Sequence, residues 1–172
     1  IKTEKSVKEE KVFEQTVTEN PEEKAAEIKT GNPVTDVILT QKQKEAEESG
    51  IAFDCKFIYP VDSNINAFDV SVILNNAIEN AFEGVNGCKD PYVSVLAYRK
   101  KNAYMLEVRN CISKSVEIDK ETGLPETTKK DKRSHGFGLA NIRKVAQKYY
   151  GDIDIWQDEN SFTLTVMMIT NS

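Results

Sequence analysis

No stretch of the chain approaches the roughly 18 consecutive apolar residues that a spanning helix needs, and its start does not read as a signal peptide. Cysteine is scarce: Cys55, Cys88 and Cys111 are an odd set without Cys-x-x-Cys spacing. That pattern argues against a disulfide framework or a zinc site and suits a reducing cytosol. Cys55 shares the apolar side of Ile51, Phe53, Phe57 and Tyr59 and reads as a small core residue. Histidine is scarcer still, with His135 alone. A net charge of −5 excludes a global basic field for holding nucleic acid, and the one basic island is Lys129, Lys130, Lys132 and Arg133. Internal repeats are absent. The chain opens on Ile1 rather than Met, which we read as a fragment or processed product; for a membrane receptor, the sensor would lie outside this sequence.

What is present is concentrated in two short segments. In Leu74-Asn75-Asn76-Ala77-Ile78-Glu79-Asn80-Ala81-Phe82-Glu83, Asn76 and Asn80 stand at i and i+4 and project from one helix face a turn apart. Phe68 and Val72 extend that line, and a helix this apolar is expected to be largely buried, so its amides need partners. An amide oxygen is a hard, neutral ligand suited to Mg²⁺. A plainer role for both residues is to hydrogen-bond a neighbouring strand or loop. The second segment, Ser134-His135-Gly136-Phe137-Gly138-Leu139-Ala140-Asn141-Ile142, places a glycine pair before an amphipathic spacing of Leu139, Ile142, Val145, Ala146 and Tyr149. Glycine lets backbone approach a ligand, and a helix N-terminus offers free N–H groups to phosphate.

Periodicity sets out the rest. Residues 1–29 are dense in Lys and Glu and read as a charged arm or the remnant of a dimerisation helix, leaving residues 30–172 as one domain. A helix is expected over about 34–49, a strand over 51–59, and the Asn-rich helix from an Asn66 cap to about 85. Strands at 92–99 and 103–110 join as a hairpin at Lys100-Lys101-Asn102. Residues 111–134 are aperiodic and charged, followed by the glycine-opened helix ended by Gly151 and strands at 152–157 and 161–169. Three main helices on one face of a mixed, mostly antiparallel five-stranded sheet make an α+β, two-layer α/β sandwich.

The order of these motifs resembles the GHKL ATPase superfamily, and more closely the catalytic ATP-binding domain of sensor histidine kinases of the peptide-quorum-sensing type. The resemblance covers about residues 30–169. Asn76 to Glu83 resembles the family's N box, whose second Asn is the Mg²⁺ ligand, here Asn80. Ser134 to Leu139 resembles the glycine box that wraps the phosphates, which gives His135, Gly136, Phe137, Gly138 and Leu139 a nucleotide-binding role. Thr30-Gly31-Asn32-Pro33-Val34-Thr35-Asp36 is similar to the segment leading into the family's first helix.

The resemblance implies the Bergerat fold, ATP and Mg²⁺ as cofactors, and a mobile ATP lid over about 111–134. Asn76 would orient a water or phosphate oxygen, Glu79 would orient or activate water, and Lys132 or Arg133 would close over phosphate. One departure is plain: the usual Asp-x-Gly-x-Gly box is replaced by Val108-Arg109-Asn110-Cys111-Ile112-Ser113. Asn110 takes the adenine-bonding position, without the charge assistance of a carboxylate, so affinity is expected to be weaker than in Asp-containing kinases. Tyr104, Leu106, Val108 and Asn110 share one face of a strand, which points Asn110 where the core residues point.

By the same resemblance the acceptor is a histidine on a separate dimerisation domain, the parent is a cytoplasmic portion of a membrane-anchored, dimeric sensor, and a response regulator receives the phosphate. His135, inside the glycine box, is not that acceptor and reads as a capping or lid residue. Two other readings stand beside this one: a GHKL serine kinase of the anti-sigma type, and a degenerate nucleotide-binding scaffold.

Overall fold

The computed structural model describes residues 26–126 and 137–171. The element order is α1 (Pro33–Glu48), β1 (Ala52–Lys56), α2 (Ala67–Gly84), β2 (Tyr92–Lys100), β3 (Ala103–Cys111), α3 (Gly138–Lys148), β4 (Asp152–Gln157) and β5 (Ser161–Ile169). The arm as far as residue 25 lies outside the described residues.

The five strands form one sheet in the order β1-β2-β3-β5-β4. β1 runs parallel to β2 and the other neighbours are antiparallel, so the sheet is mixed and mostly antiparallel. The three helices cover one face, with α2 packed against both α1 and α3. This is the two-layer sandwich that the alternation and helical spacing imply. Its core lies between α2 and the inward side chains of the central strands, where Ile73, Leu74 and Ile78 meet Leu106, Leu164 and Val166, all at most 1 % exposed. Burying each such side chain contributes about 1.5–3 kcal/mol, which is what holds α2 flat against β3.

Local chemistry explains the helix starts. Asn32 caps α1 by accepting from the Val34 and Thr35 amides, and Pro33 occupies the first turn, where its missing N–H costs nothing. Thr30 binds the same turn: its amide and hydroxyl donate to Asp36 Oδ1 at 2.6 and 2.7 Å. The Thr30 to Asp36 motif is therefore a lock on the entry to α1. Those donors, with burial opposing them, hold the Asp36 carboxyl below its usual range. Asn66 caps α2 through the Phe68 amide at 2.8 Å, as its position suggests.

Four expectations need correction. β1 stops at Lys56 rather than reaching residue 59, because its pairing with β2 ends at Lys56–Leu96 and the Tyr59 amide leaves to bond Thr30 O. Phe68 and Val72 are 74 % and 40 % exposed, so α2 buries its Val70, Ile73, Leu74 and Ala77 side while the Phe68 line faces outward. α3 ends at Lys148, short of Gly151, with Tyr149 as its cap and Tyr150 in the left-handed region at φ of 55°. Gly151 is required for another reason: a Cβ there would stand 1.7 Å from the Met167 carbonyl oxygen. Residues 111–126 are not shapeless either. Cys111 continues β3, Ile118 bridges Pro125, and Gln157 exchanges side-chain hydrogen bonds with both backbone groups of Val116.

Candidate functional site

Asn76, Asn80, Asn110 and Gly138 come from three elements, and the fold gathers them on the helix-covered face of the sheet. α2 is the common wall. Near its middle it meets the start of α3: a Cβ on Gly138 would lie 3.3 Å from Asn76 Oδ1. At its C-terminal end it meets β3, where a Cβ on Gly84 would lie 2.5 Å from Asn110 Nδ2. Both glycines thus make room for an amide. At this second point opens a cavity of about 230 Å³ lined by Asn80, Glu83, Gly84, Asn110, Ile112, Val116, Pro125 and Phe162.

Each amide has a defined set of partners. Asn76 Nδ2 donates to Val72 O of its own helix at 2.7 Å, which leaves Oδ1 turned to Gly138. The Asn80 side chain makes no hydrogen bond among the described residues and lines the cavity. Neither amide hydrogen-bonds a neighbouring strand or a described loop. Asn110 is 2 % exposed, and its Nδ2 donates to Cys111 O at 2.8 Å. Oδ1 then remains as an acceptor, so this edge of the cavity suits a ligand with an N–H donor.

The remaining sequence candidates divide. Glu79 does not line the cavity; its carboxylate lies 3.5 Å from Lys42 Nζ of α1, a nearly buried cation that also bonds Glu45 at 2.9 Å. Phe137 is 63 % exposed at the mouth of α3, where its carbonyl accepts from Asn141 N. Leu139 turns its side chain into the core, which leaves only its backbone to face a ligand. Lys132, Arg133, His135 and Gly136 lie outside the described residues.

Two supporting features carry no obvious motif. Gly84 occupies the last position of α2, and nothing but a glycine late in an apolar helix marked it in the sequence. The second is a tie between α2 and α3 beside the site. Tyr149 accepts from the Asn66 amide at 3.0 Å and donates to the Asp69 carboxylate, which Lys148 also reaches at 2.7 Å. Burial works to raise the Asp69 carboxyl, but bonds from Lys148 and Tyr149 outweigh it and hold the group below its usual range. Burial in turn pushes the Tyr149 hydroxyl up, with the Asp69 bond adding to it.

The chain matches the GHKL domain family over residues 65–169, a span that takes in α2, the cavity and the start of α3. This protein belongs to the GHKL domain family. Its fold is also that of histidine kinase catalytic domains. A nucleotide-free catalytic domain of the histidine kinase ThkA shares 17 % identity, with a TM-score of 0.61 over 79 % of this chain and 90 % of that one. The Acinetobacter baumannii histidine kinase AdeS follows at 13 % and 0.58, over 81 % of this chain and 64 % of that one. The mycobacterial sensor histidine kinase MprB aligns at 14 % and 0.57, over 80 % and 94 %. No curated protein matches the chain by sequence. At these identities the structural likeness speaks for the fold, and the site must speak for the chemistry.

Proposed function

We propose that this GHKL domain is the ATP-binding catalytic domain of a two-component sensor histidine kinase, of the peptide-quorum-sensing type, and that it presents Mg-ATP to a histidine on a separate dimerisation domain. The observation that supports the reading is that α2 carries Asn80 into the cavity beside Asn110 and, one turn earlier, sets Asn76 against the glycine-opened start of α3.

Each residue then has a task its geometry allows. Asn110 accepts from the adenine amino group through Oδ1, the oxygen left over by its bond to Cys111 O. Asn76 presents Oδ1 beside the α3 N-terminus, where it orients water or a phosphate oxygen. The first amides of α3, reached across Gly138, hold phosphate by hydrogen bonding and the helix dipole. Lys132 and Arg133 would neutralise charge on the phosphates, with His135 and Gly136 completing the glycine box. The donor set suits Mg²⁺: among the described residues no cluster of three or more His, Cys, Asp or Glu is present that would favour another metal, and Asn80 offers a neutral amide oxygen. When bound, Mg²⁺ supplies charge neutralisation to the phosphates. Transfer has a loose transition state, so positioning is most of what the domain must contribute.

A cytoplasmic position beneath a membrane sensor, a dimeric parent and a response regulator as final acceptor complete the reading. Isothermal titration with a non-hydrolysable ATP analogue, with and without Mg²⁺, tests it beside Asn80→Ala and Gly136→Val. Mg-dependent binding lost in both variants is expected, followed by transfer to histidine when the dimerisation domain is added. No binding at millimolar nucleotide would leave the degenerate scaffold, and transfer to a protein serine would leave the anti-sigma type of kinase.

A further inference from the structure

Residues 116–126 fold into a small hairpin that the nucleotide reading leaves without a task. Ile118 bridges Pro125, the Glu126 amide donates to Glu117 O, and the Asp119 amide donates to Leu124 O, both at 2.8 Å. Asp119 closes the turn, its Oδ1 accepting from the Glu121 and Thr122 amides at 2.8 Å, and Gly123 takes the positive φ of 67°. Val116, Ile118 and Leu124 pack against the core, while Val116 and Pro125 stand in the lining of the 230 Å³ cavity. Two side chains tie this hairpin to the body of the domain. At its base Gln157, the last residue of β4 and the cross-strand partner of the cavity-lining Phe162, accepts from the Val116 amide at 3.0 Å and donates to Val116 O at 2.7 Å. At its tip Arg143 of α3 donates to Thr122 O at 2.5 Å, while its Nε lies 3.3 Å from Asp152 Oδ1 at the start of β4.

We propose that Gln157 and Arg143 are positioning residues for nucleotide binding, holding residues 116–126 as a standing wall of the base cavity so that affinity for the base, and not for the phosphates, depends on them. The proposal rests on the nucleotide reading above, which seats the base against Asn110 in this cavity. Neither Gln157 nor Arg143 lines the cavity, so both act through Val116 and Pro125. The glutamine amide offers one acceptor and two donors, and by meeting both backbone groups of Val116 it fixes that residue as a neighbouring strand would. Ordering a backbone segment costs free energy at every residue. A wall already in place when the ligand arrives spares binding that cost, whereas an untied hairpin would add it to each binding event. Arg143 extends the tie to α3, so the element whose first turn faces phosphate also holds the tip of the wall.

The test compares the full chain with Gln157→Met and Arg143→Met, which keep most of the side-chain bulk and remove its hydrogen bonds. Amide hydrogen exchange followed by NMR reads the wall without ligand, and titrations with adenosine and with ADP read the cavity. The Val116 amide is expected to exchange slowly in the unliganded parent and about tenfold faster or more in Gln157→Met. Adenosine and ADP affinities are expected to fall together in both variants, by about fivefold, the worth of one neutral hydrogen bond. A merely general loosening of the domain would not keep the two ligands in step. A Val116 amide that exchanges as fast in the parent as in Gln157→Met overturns the standing wall. Affinities of both variants within about twofold of the parent overturn its link to binding. ADP affinity that falls while adenosine affinity holds, or a parent that takes ADP and no adenosine, places the effect on phosphate and overturns the proposal as well. A parent that binds neither ligand removes the nucleotide reading instead, and with it the role in binding, while the exchange result still decides whether Gln157 holds the hairpin.

Discussion

Gly84 and Asn110 are in direct contact across the α2–β3 boundary, with 2.5 Å between the Asn110 amide nitrogen and the place a Cβ on Gly84 would take. Late in a helix, glycine costs about 1 kcal/mol relative to alanine, so Gly84→Ala would ordinarily stabilise the chain. Here the added methyl displaces an amide that is 2 % exposed and has little room to turn. The expected outcome is a fall of about fivefold in ATP-analogue affinity, one neutral hydrogen bond's worth, with the unfolding midpoint little changed. Titration calorimetry and urea denaturation on the same sample check the two halves.

Asn110→Asp supplies the carboxylate that the resemblance implies at this position, yet it is expected to harm the protein. The amide nitrogen now donates to Cys111 O at 2.8 Å, and an aspartate would set a carboxylate oxygen against that carbonyl in a buried position. A loss of about 2 kcal/mol of stability is expected, larger at neutral pH than in acid, where the carboxyl protonates and donates again. Denaturant unfolding at two pH values reads this; equal destabilisation at both would contradict it.

The Asp69 carboxyl carries a pH dependence whose sign is fixed by its partners. Its pKa is lowered on folding, so its contribution is complete above the ordinary carboxylate pKa, about 3.9, and fades as pH falls through the lower folded value. Asp69→Asn should cost about 1 kcal/mol near neutrality, from the weakened bond to Tyr149. Urea curves taken from about pH 6 to about pH 3 should show the gap between variant and parent narrowing with acid. A gap that widens would reverse the assignment.

Glu79 separates a motif's implication from its surroundings. A water-orienting role would make Glu79→Gln lose about a hundredfold or more in phosphotransfer. Its carboxylate is instead engaged by Lys42 at 3.5 Å, on a side chain 62 % exposed. An ion pair whose carboxylate is this exposed is worth about 1 kcal/mol. We expect Glu79→Gln to change transfer to an added dimerisation domain less than about twofold, consistent with a structural tie between α1 and α2. A hundredfold loss would return Glu79 to the chemistry.

Most strands and all three helices were legible because their signals are local. Alternation along Tyr104, Leu106, Val108 and Asn110 put the amide on the core side, and helical spacing placed Asn76 and Asn80 on one face, as found. What was hidden depends on partners distant in sequence. Phe68 looks like core by composition, yet it is left 74 % exposed. Gly151 looks like a helix stop, and only the Met167 carbonyl explains it. Gly84 carries no signal until β3 lies beside it.

A single helix carries Asn76, Asn80 and Gly84, and it advances about 1.5 Å per residue. The amide that faces the α3 N-terminus and the glycine that seats Asn110 are thus separated by about 12 Å along one axis that cannot stretch. That makes α2 a ruler. On the proposed nucleotide reading, a ligand gripped at its base by one end must have a phosphate chain of the right length to reach the other, so a monophosphate would leave the far mark unread. Length discrimination of this kind needs no contact selective for the third phosphate, only a rigid rod with a reader at each end.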